Sequence, residues 1–138
     1  MEKKLIEELI DTAIEQLKFS YTPYSNFKVG AALLAKSGRV YTGCNIENAA
    51  FTPTNCAERT AFFKAVSEGV KEFDAICVVG GKDGKINGIF APCGVCRQVL
   101  REFCDDDFPI ILGESENEFK EVTLKELLPL SFSPDNVR

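Results

Sequence analysis

The chain has 138 residues, a net charge of -5, and 45% hydrophobic against 27% charged residues, an ordinary balance for one globular domain. A chain of that length buries roughly two-thirds of its unfolded surface, so a core needs no disulfide to hold it. The acidic surface repels phosphate backbones, which excludes a long nucleic acid as a natural partner and leaves a small neutral molecule as the compatible ligand class.

Leu5, Ile6, Leu9, Ile10, Ala13, Ile14 and Leu17 recur with helical period, so a first amphipathic helix is predicted to cover one face of the fold. It begins at Met1-Glu2-Lys3-Lys4, unlike a secretory leader. No apolar run approaches the roughly 18 residues of a membrane span. A cytoplasmic protein with reduced thiols and no membrane partner is expected. After a loop over 20–26, strands are predicted at 27–35 and 40–46, joined by the turn Lys36-Ser-Gly-Arg39 as a hairpin. A second helix is predicted from Cys56 to about Glu68, with Gly69 ending it.

The apolar run 73–79 predicts a strand near the middle of the sheet. Gly80-Gly-Lys-Asp-Gly-Lys85 is a surface turn; it lacks the spacing of a phosphate loop. A third helix is predicted from Cys93 to about Phe103, strands at 109–112 and 118–122, and a short last helix opened by the capping box Thr123-Leu-Lys-Glu126 and closed by Pro129. The polar tail 131–138 follows. This order predicts an α/β fold, a mixed sheet between helical layers, in a single domain over 1–138.

Six cysteines and no histidine narrow the chemistry. Any metal site must use Cys, Asp or Glu. Cys93 and Cys96, three apart at a helix start after Pro92, put two sulfurs over one point. Cys56 opens its own helix, and helix N-termini favour thiolates. Two such starts facing each other bring three thiolates to one tetrahedral ion with an open fourth position, as in a catalytic zinc site. A redox pair, or a structural zinc site closed by Cys44 or Cys104, uses the same CxxC. Cys77, in mid-strand, is a small core residue.

Glu58 has two readings. Asn55-x-x-Glu58 matches a capping box. With zinc at the same helix start, a carboxylate two residues beyond a ligand can take a proton from the water that zinc activates. Arg59, one turn from Cys56, is either a solvated cation or a donor to ligand sulfurs, offsetting the third thiolate.

Thr54-Asn-Cys-Ala-Glu-Arg-Thr-Ala61 with Pro92-Cys-Gly-Val-Cys-Arg-Gln98 resembles the zinc nucleoside deaminases, and most closely the small three-cysteine cytidine deaminases. Tyr24-Ser-x-Phe27-x-Val-Gly-Ala-Ala-Leu, Gly43-Cys-Asn-Ile-Glu-Asn-Ala-Ala50 and Glu126-Leu-Leu-Pro129 extend the likeness along nearly the whole chain. The resemblance implies a three-layer α/β/α sandwich with a mixed five-stranded sheet. It implies one zinc ion per chain on Cys56, Cys93 and Cys96, with Glu58 as proton shuttle. Asn45 and Glu47 would bind the ribose hydroxyls, Phe27 would flank the base, and Ala57 would be a further substrate-binding residue.

Phe132 resembles the family's aromatic that enters a neighbouring subunit's site, which implies a homotetramer with shared active sites. On the residues alone, Asn45 and Glu47 are turn polars, Phe27 a strand residue and Phe132 a tail anchor. Phe51, where many members carry tyrosine, and the stiff Thr52-Pro53-Thr54 depart from the pattern. The implied function is deamination of cytidine and 2′-deoxycytidine in pyrimidine salvage. The alternatives are a deaminase of a cytosine-containing antibiotic such as blasticidin S, and a non-enzymatic zinc-binding module.

Overall fold

The computed structural model describes residues 1–138. The elements run α1 (Lys3–Glu15), β1 (Phe27–Ala35), β2 (Val40–Cys44), α2 (Ala57–Ser67), β3 (Phe73–Lys82), α3 (Gly94–Phe103), β4 (Pro109–Gly113), β5 (Phe119–Thr123) and α4 (Leu124–Leu127). Short 3-10 turns follow α1 (Gln16–Phe19) and close the tail (Pro134–Asn136). The five strands lie in the order β2-β1-β3-β4-β5. β1 is antiparallel to β2 and β3, β3 and β4 are parallel, and β5 is antiparallel to β4. The one parallel step is the crossover through α3.

Strand residues alternate between the two faces, and both faces are covered, which is why β1, β3 and β4 are apolar almost throughout. Ala32, Leu34, Cys77, Val79 and Ile111 pack with Ile6, Leu9, Ile10 and Ala13 of α1. Ala31, Leu33, Ile76, Val78, Ile110 and Leu112 pack with Ala61, Phe62 and Ala65 of α2, Leu100 of α3 and Leu124 of α4. The expected three-layer α/β/α sandwich with a mixed five-stranded sheet is therefore present.

Several boundaries differ from the sequence reading. The strand predicted over 40–46 stops at Cys44. Asn45 N–H still donates to Val29 O at 3.2 Å, but Val29 N–H donates to Asn45 Oδ1 at 2.9 Å while Asn45 O turns to Tyr21 N–H, so the ladder ends and the chain turns away. Ile46 makes only isolated bridges to Tyr21 and Asn55. β3 runs on to Lys82, because Gly80 and Gly81 stay extended opposite Val29 and Lys28. The turn shrinks to Asp83 and Gly84, both with positive φ. Both cysteine-bearing helices start one residue later than predicted, with Cys56 and Cys93 as N-caps. Gly69 (φ 88°) ends α2 as expected, its N–H bonding Val66 O. The Thr123–Glu126 capping box is formed, but α4 stops at Leu127, ahead of Pro129.

Candidate metal centre and substrate pocket

The starts of α2 and α3 meet at the carboxyl-end side of β3. α2 sits close on β2 because Gly43 lies beneath it: a Cβ there would come within 2.2 Å of Ala57 O. That approach carries Cys56, Ala57 and Glu58 to the edge of a cavity of about 210 Å3, which Cys93 borders from α3. The sulfurs of Cys56, Cys93 and Cys96 lie within 4.8 Å of one another. Cys56 Sγ and Cys93 Sγ are 3.7 Å apart. Two sulfurs about 2.3 Å from one tetrahedral ion stand about 3.8 Å apart, so the Cys56–Cys93 pair already has the spacing of zinc ligands, with Cys96 close enough to complete the set.

No fourth cysteine joins the three. Cys104 caps the far end of α3 and is buried in the core there, and Cys44 is buried at the end of β2. Closure of a four-sulfur structural site by either is therefore overturned: the fold holds them elsewhere in the core. All six cysteines are free.

The cluster's electrostatics favour an anion. A hydrogen bond from Cys96 outweighs partial burial and, with Arg59 and Cys93 adding to it, lowers the Cys56 thiol to about 5. Cys96 is raised, first by that same hydrogen bond and then by burial. Arg59 Nη2 donates to Cys56 Sγ at 3.3 Å. Burial pulls the guanidinium pKa down, but hydrogen bonds to Cys56 and Cys96 more than restore it. Arg59 Nε is buried with no partner, which marks a guanidinium held at the sulfurs instead of in water.

Glu58 is buried, 4% exposed, on the first turn of α2. Burial raises its carboxyl to about 7; its own backbone N–H opposes this and the Cys56 charge adds to it. The capping-box reading of Glu58 is overturned. Asn55 Nδ2 donates instead to Thr60 Oγ1 at 3.1 Å, Cys56 takes the cap position, and α2 has no side-chain cap. A buried carboxyl that titrates near neutrality beside a metal-ligand cluster can both accept and return a proton.

The cavity's other walls are Val29, Asn45, Glu47, Thr54, Asn55, Phe90 and Ala91. Asn45 and Glu47 thus share the pocket with the thiols, and both also hold backbone. Asn45 Nδ2 donates to Phe27 O at 2.8 Å. Glu47 Oε1 accepts from Tyr24 N–H at 3.0 Å and Ser25 N–H at 3.2 Å, and Oε2 accepts from Ser25 Oγ. The Ser25 hydroxyl leads in holding the Glu47 carboxyl below the ordinary range.

Phe27 is not a wall of this cavity; its ring stacks on Phe90, which is. Phe132 is 62% exposed and stands outside its own chain's pocket. Its carbonyl accepts from Gln98 Nε2 of α3 at 3.0 Å. Phe90 was not singled out in the sequence, and Thr54 and Asn55 were read as motif and cap residues instead of pocket walls. Only their closeness to Cys93 and Cys56 along the chain hinted at a place in the pocket.

Comparison with known proteins agrees with the geometry. The family description "Cytidine and deoxycytidylate deaminase zinc-binding region" matches residues 3–112. A cytidine deaminase of Sporosarcina psychrophila is 48% identical over 132 residues, covering 96% of this chain and 94% of that protein. One from Halalkalibacterium halodurans is 47% identical, covering 94% and 95%. The crystal structure of cytidine deaminase from Burkholderia pseudomallei superposes with a TM-score of 0.83 at 43% identity, over 91% of this chain and 97% of that one. A blasticidin-S deaminase of Bacillus cereus is more distant, at 32% identity over 130 residues. The chain belongs to the family of zinc-dependent cytidine and deoxycytidylate deaminases.

Proposed function

We propose that this chain hydrolyses cytidine and 2′-deoxycytidine to uridine and 2′-deoxyuridine with release of ammonia. The observation that carries this reading is the buried Glu58 carboxyl on the same cavity as Cys56 and Cys93. The cytidine reading is favoured over the antibiotic one by relatives at 48% against 32% identity.

Zinc bound by Cys56, Cys93 and Cys96 supplies Lewis acidity, which lowers the pKa of a water. Glu58 takes the proton of that water and delivers it to ring N3 of cytosine, and oxygen adds to C4. Glu58 then carries the proton of the new C4 hydroxyl to the departing amine, so that ammonia leaves as the C4–N bond breaks and the C4 carbonyl forms. Its environment suits both roles, because a group near neutrality gives up and takes a proton with comparable ease. Arg59 steadies the Cys56 thiolate. Val29, Ala57 and Phe90 keep the base dry, and Asn45 and Glu47 meet the ribose. A carboxylate at the ribose repels a nearby phosphate, so nucleosides are preferred to nucleotides and to nucleic acid.

The same reading makes the protein a cytoplasmic enzyme of pyrimidine salvage and residues 1–138 one catalytic domain. It also makes it a homotetramer in which Phe132 reaches a neighbouring copy's pocket. Leu130 and Phe51, fully and largely exposed, and Phe132 supply apolar surface for such contacts. Four chains of 15.2 kDa give a particle of about 61 kDa (4 × 15.2), which sedimentation measures directly.

The deciding assay follows ultraviolet absorbance and ammonia after cytidine is added, with and without a chelator. Turnover that chelation abolishes and zinc restores is expected. No ammonia from cytidine with stoichiometric zinc bound would overturn the reading. No helix is long and apolar enough to cross a membrane.

A further inference from the structure

Phe90 lies outside both cysteine motifs, in the irregular stretch between β3 and α3, three residues before Cys93. Its ring borders the cavity that holds Cys56, Glu58 and Cys93. It also borders a second cavity of about 350 Å3, whose other walls include Phe27, Lys82 and Lys85. Phe90 is the one residue common to the two, so its ring is the partition between them.

The partition is held from behind. Phe27 stacks on it with ring centroids 5.8 Å apart and planes 29° from parallel. Gly80 of β3 provides the bed: a Cβ there would meet both Phe90 Cδ2 and the Lys28 carbonyl oxygen at 3.0 Å. The ring is therefore fixed on two sides and open on the side of the thiols. A fixed aromatic face on a small, largely apolar cavity is a stacking platform for a planar π-system.

We propose that Phe90 is the substrate-positioning and size-determining residue of the base subsite. Cytosine lies against the Phe90 ring, Phe27 acts through that ring as its backing, and the partition limits what substituents the base can carry. The inference rests on the deamination reading. Removing the ring joins the two cavities, so the pocket loses a stacking face and gains room together.

The test compares Phe90→Ala, Phe90→Leu, Phe90→Tyr and Gly80→Ala with wild type, each loaded with zinc. Phe90→Ala and Phe90→Leu are expected to raise KM for cytidine about tenfold or more, the usual scale of a lost base stack, with kcat changed far less. Phe90→Tyr keeps the aromatic face and stays near wild type. Gly80→Ala, whose methyl presses on the ring and on the Lys28 carbonyl, raises KM in the same direction without removing the ring. Discrimination against cytidines with bulky base substituents falls in Phe90→Ala.

The same ordering is expected for cytidine binding, read by equilibrium titration on zinc-loaded Glu58→Gln carrying each substitution. KM within about twofold of wild type in both Phe90→Ala and Phe90→Leu overturns the proposal, as does an equal loss in Phe90→Tyr. If Phe90→Ala does not fold, Phe90→Leu decides. A wild-type protein that releases no ammonia from cytidine overturns the deamination reading itself, and the base subsite with it.

Discussion

Arg59 donates from Nη2 to the sulfur of Cys56 across 3.3 Å, one turn along the helix that Cys56 caps. Three thiolates on one Zn2+ leave a net charge of -1, which acidifies water less than neutral ligands do. A hydrogen-bonded guanidinium offsets part of that charge. Arg59→Gln is therefore expected to weaken zinc affinity about tenfold and to move the acid limb of the pH–rate profile upward. Competition with a chromogenic chelator and a pH series check both. A variant unchanged in both would show that the contact is incidental.

On the proposed mechanism, Glu58 separates catalysis from metal binding. It is not one of the three sulfur ligands, yet it is buried on the same cavity. Glu58→Gln is expected to hold zinc at wild-type stoichiometry and to lose at least about a thousandfold in kcat. Atomic absorption and a single-turnover assay measure the two. Substantial turnover in this variant would sink the proton-shuttle role.

Cys93→Ala removes a ligand and should lose both zinc and much of the folded stability, since structural-grade zinc sites contribute on the order of 10 kcal/mol in favourable cases. Cys104→Ala is the control: a buried thiol at the other end of α3, which should cost some core packing and no zinc. Thermal melting with and without chelator distinguishes the two. Equal zinc loss in both variants would mean that the cluster is misassigned.

Thiol reactivity should divide along the same line. In metal-free folded protein at pH 7, Cys56, lowered to about 5 by the Cys96 hydrogen bond, is a thiolate. Burial pushes Cys77 and Cys104 up to about 12, so they stay protonated and shielded. Iodoacetamide with mass mapping should find Cys56 modified first and Cys77 only after unfolding. Zinc should protect Cys56. Early modification of Cys77 would contradict the packing of β3 beneath α1.

Glu47 gives a pH signature. Ser25 and the Tyr24 and Ser25 N–H groups hold its folded pKa below the ordinary carboxylate value. The sign follows: its stabilisation is present above the unfolded pKa and is lost as pH falls through the folded one. Wild type should exceed Glu47→Gln in urea midpoint at pH 7, and the gap should close below about pH 4. Chelated protein is used throughout, so that zinc release does not enter. A gap independent of pH would show that the loop contacts do not depend on the charge.

The helices and strands were legible because each has a local cause. α1 carries its apolar stripe, β1, β3 and β4 their apolar runs, and α4 its Thr123–Glu126 box. The three-cysteine cluster was legible for a similar reason: Cys93 and Cys96 are one turn apart, and the absence of histidine left few donors. The end of β2 was not, because the Asn45 side chain takes over one of the two bonds of the next ladder rung. Nor was the identity of the α2 cap, because Asn55 finds Thr60 in the folded chain.

The sequence by itself determined the chemistry, since the residue types that can bind zinc and move a proton are few and sit at helix starts. Tertiary structure alone decided what surrounds them. Glu58 titrates near neutrality because packing buries it, Cys104 is excluded from the cluster by the length of α3, and Phe90 becomes a wall because Gly80 and Phe27 hold its ring. Burial and long-range contact have no periodicity along the chain, so these roles emerge only when the sheet brings its ends together.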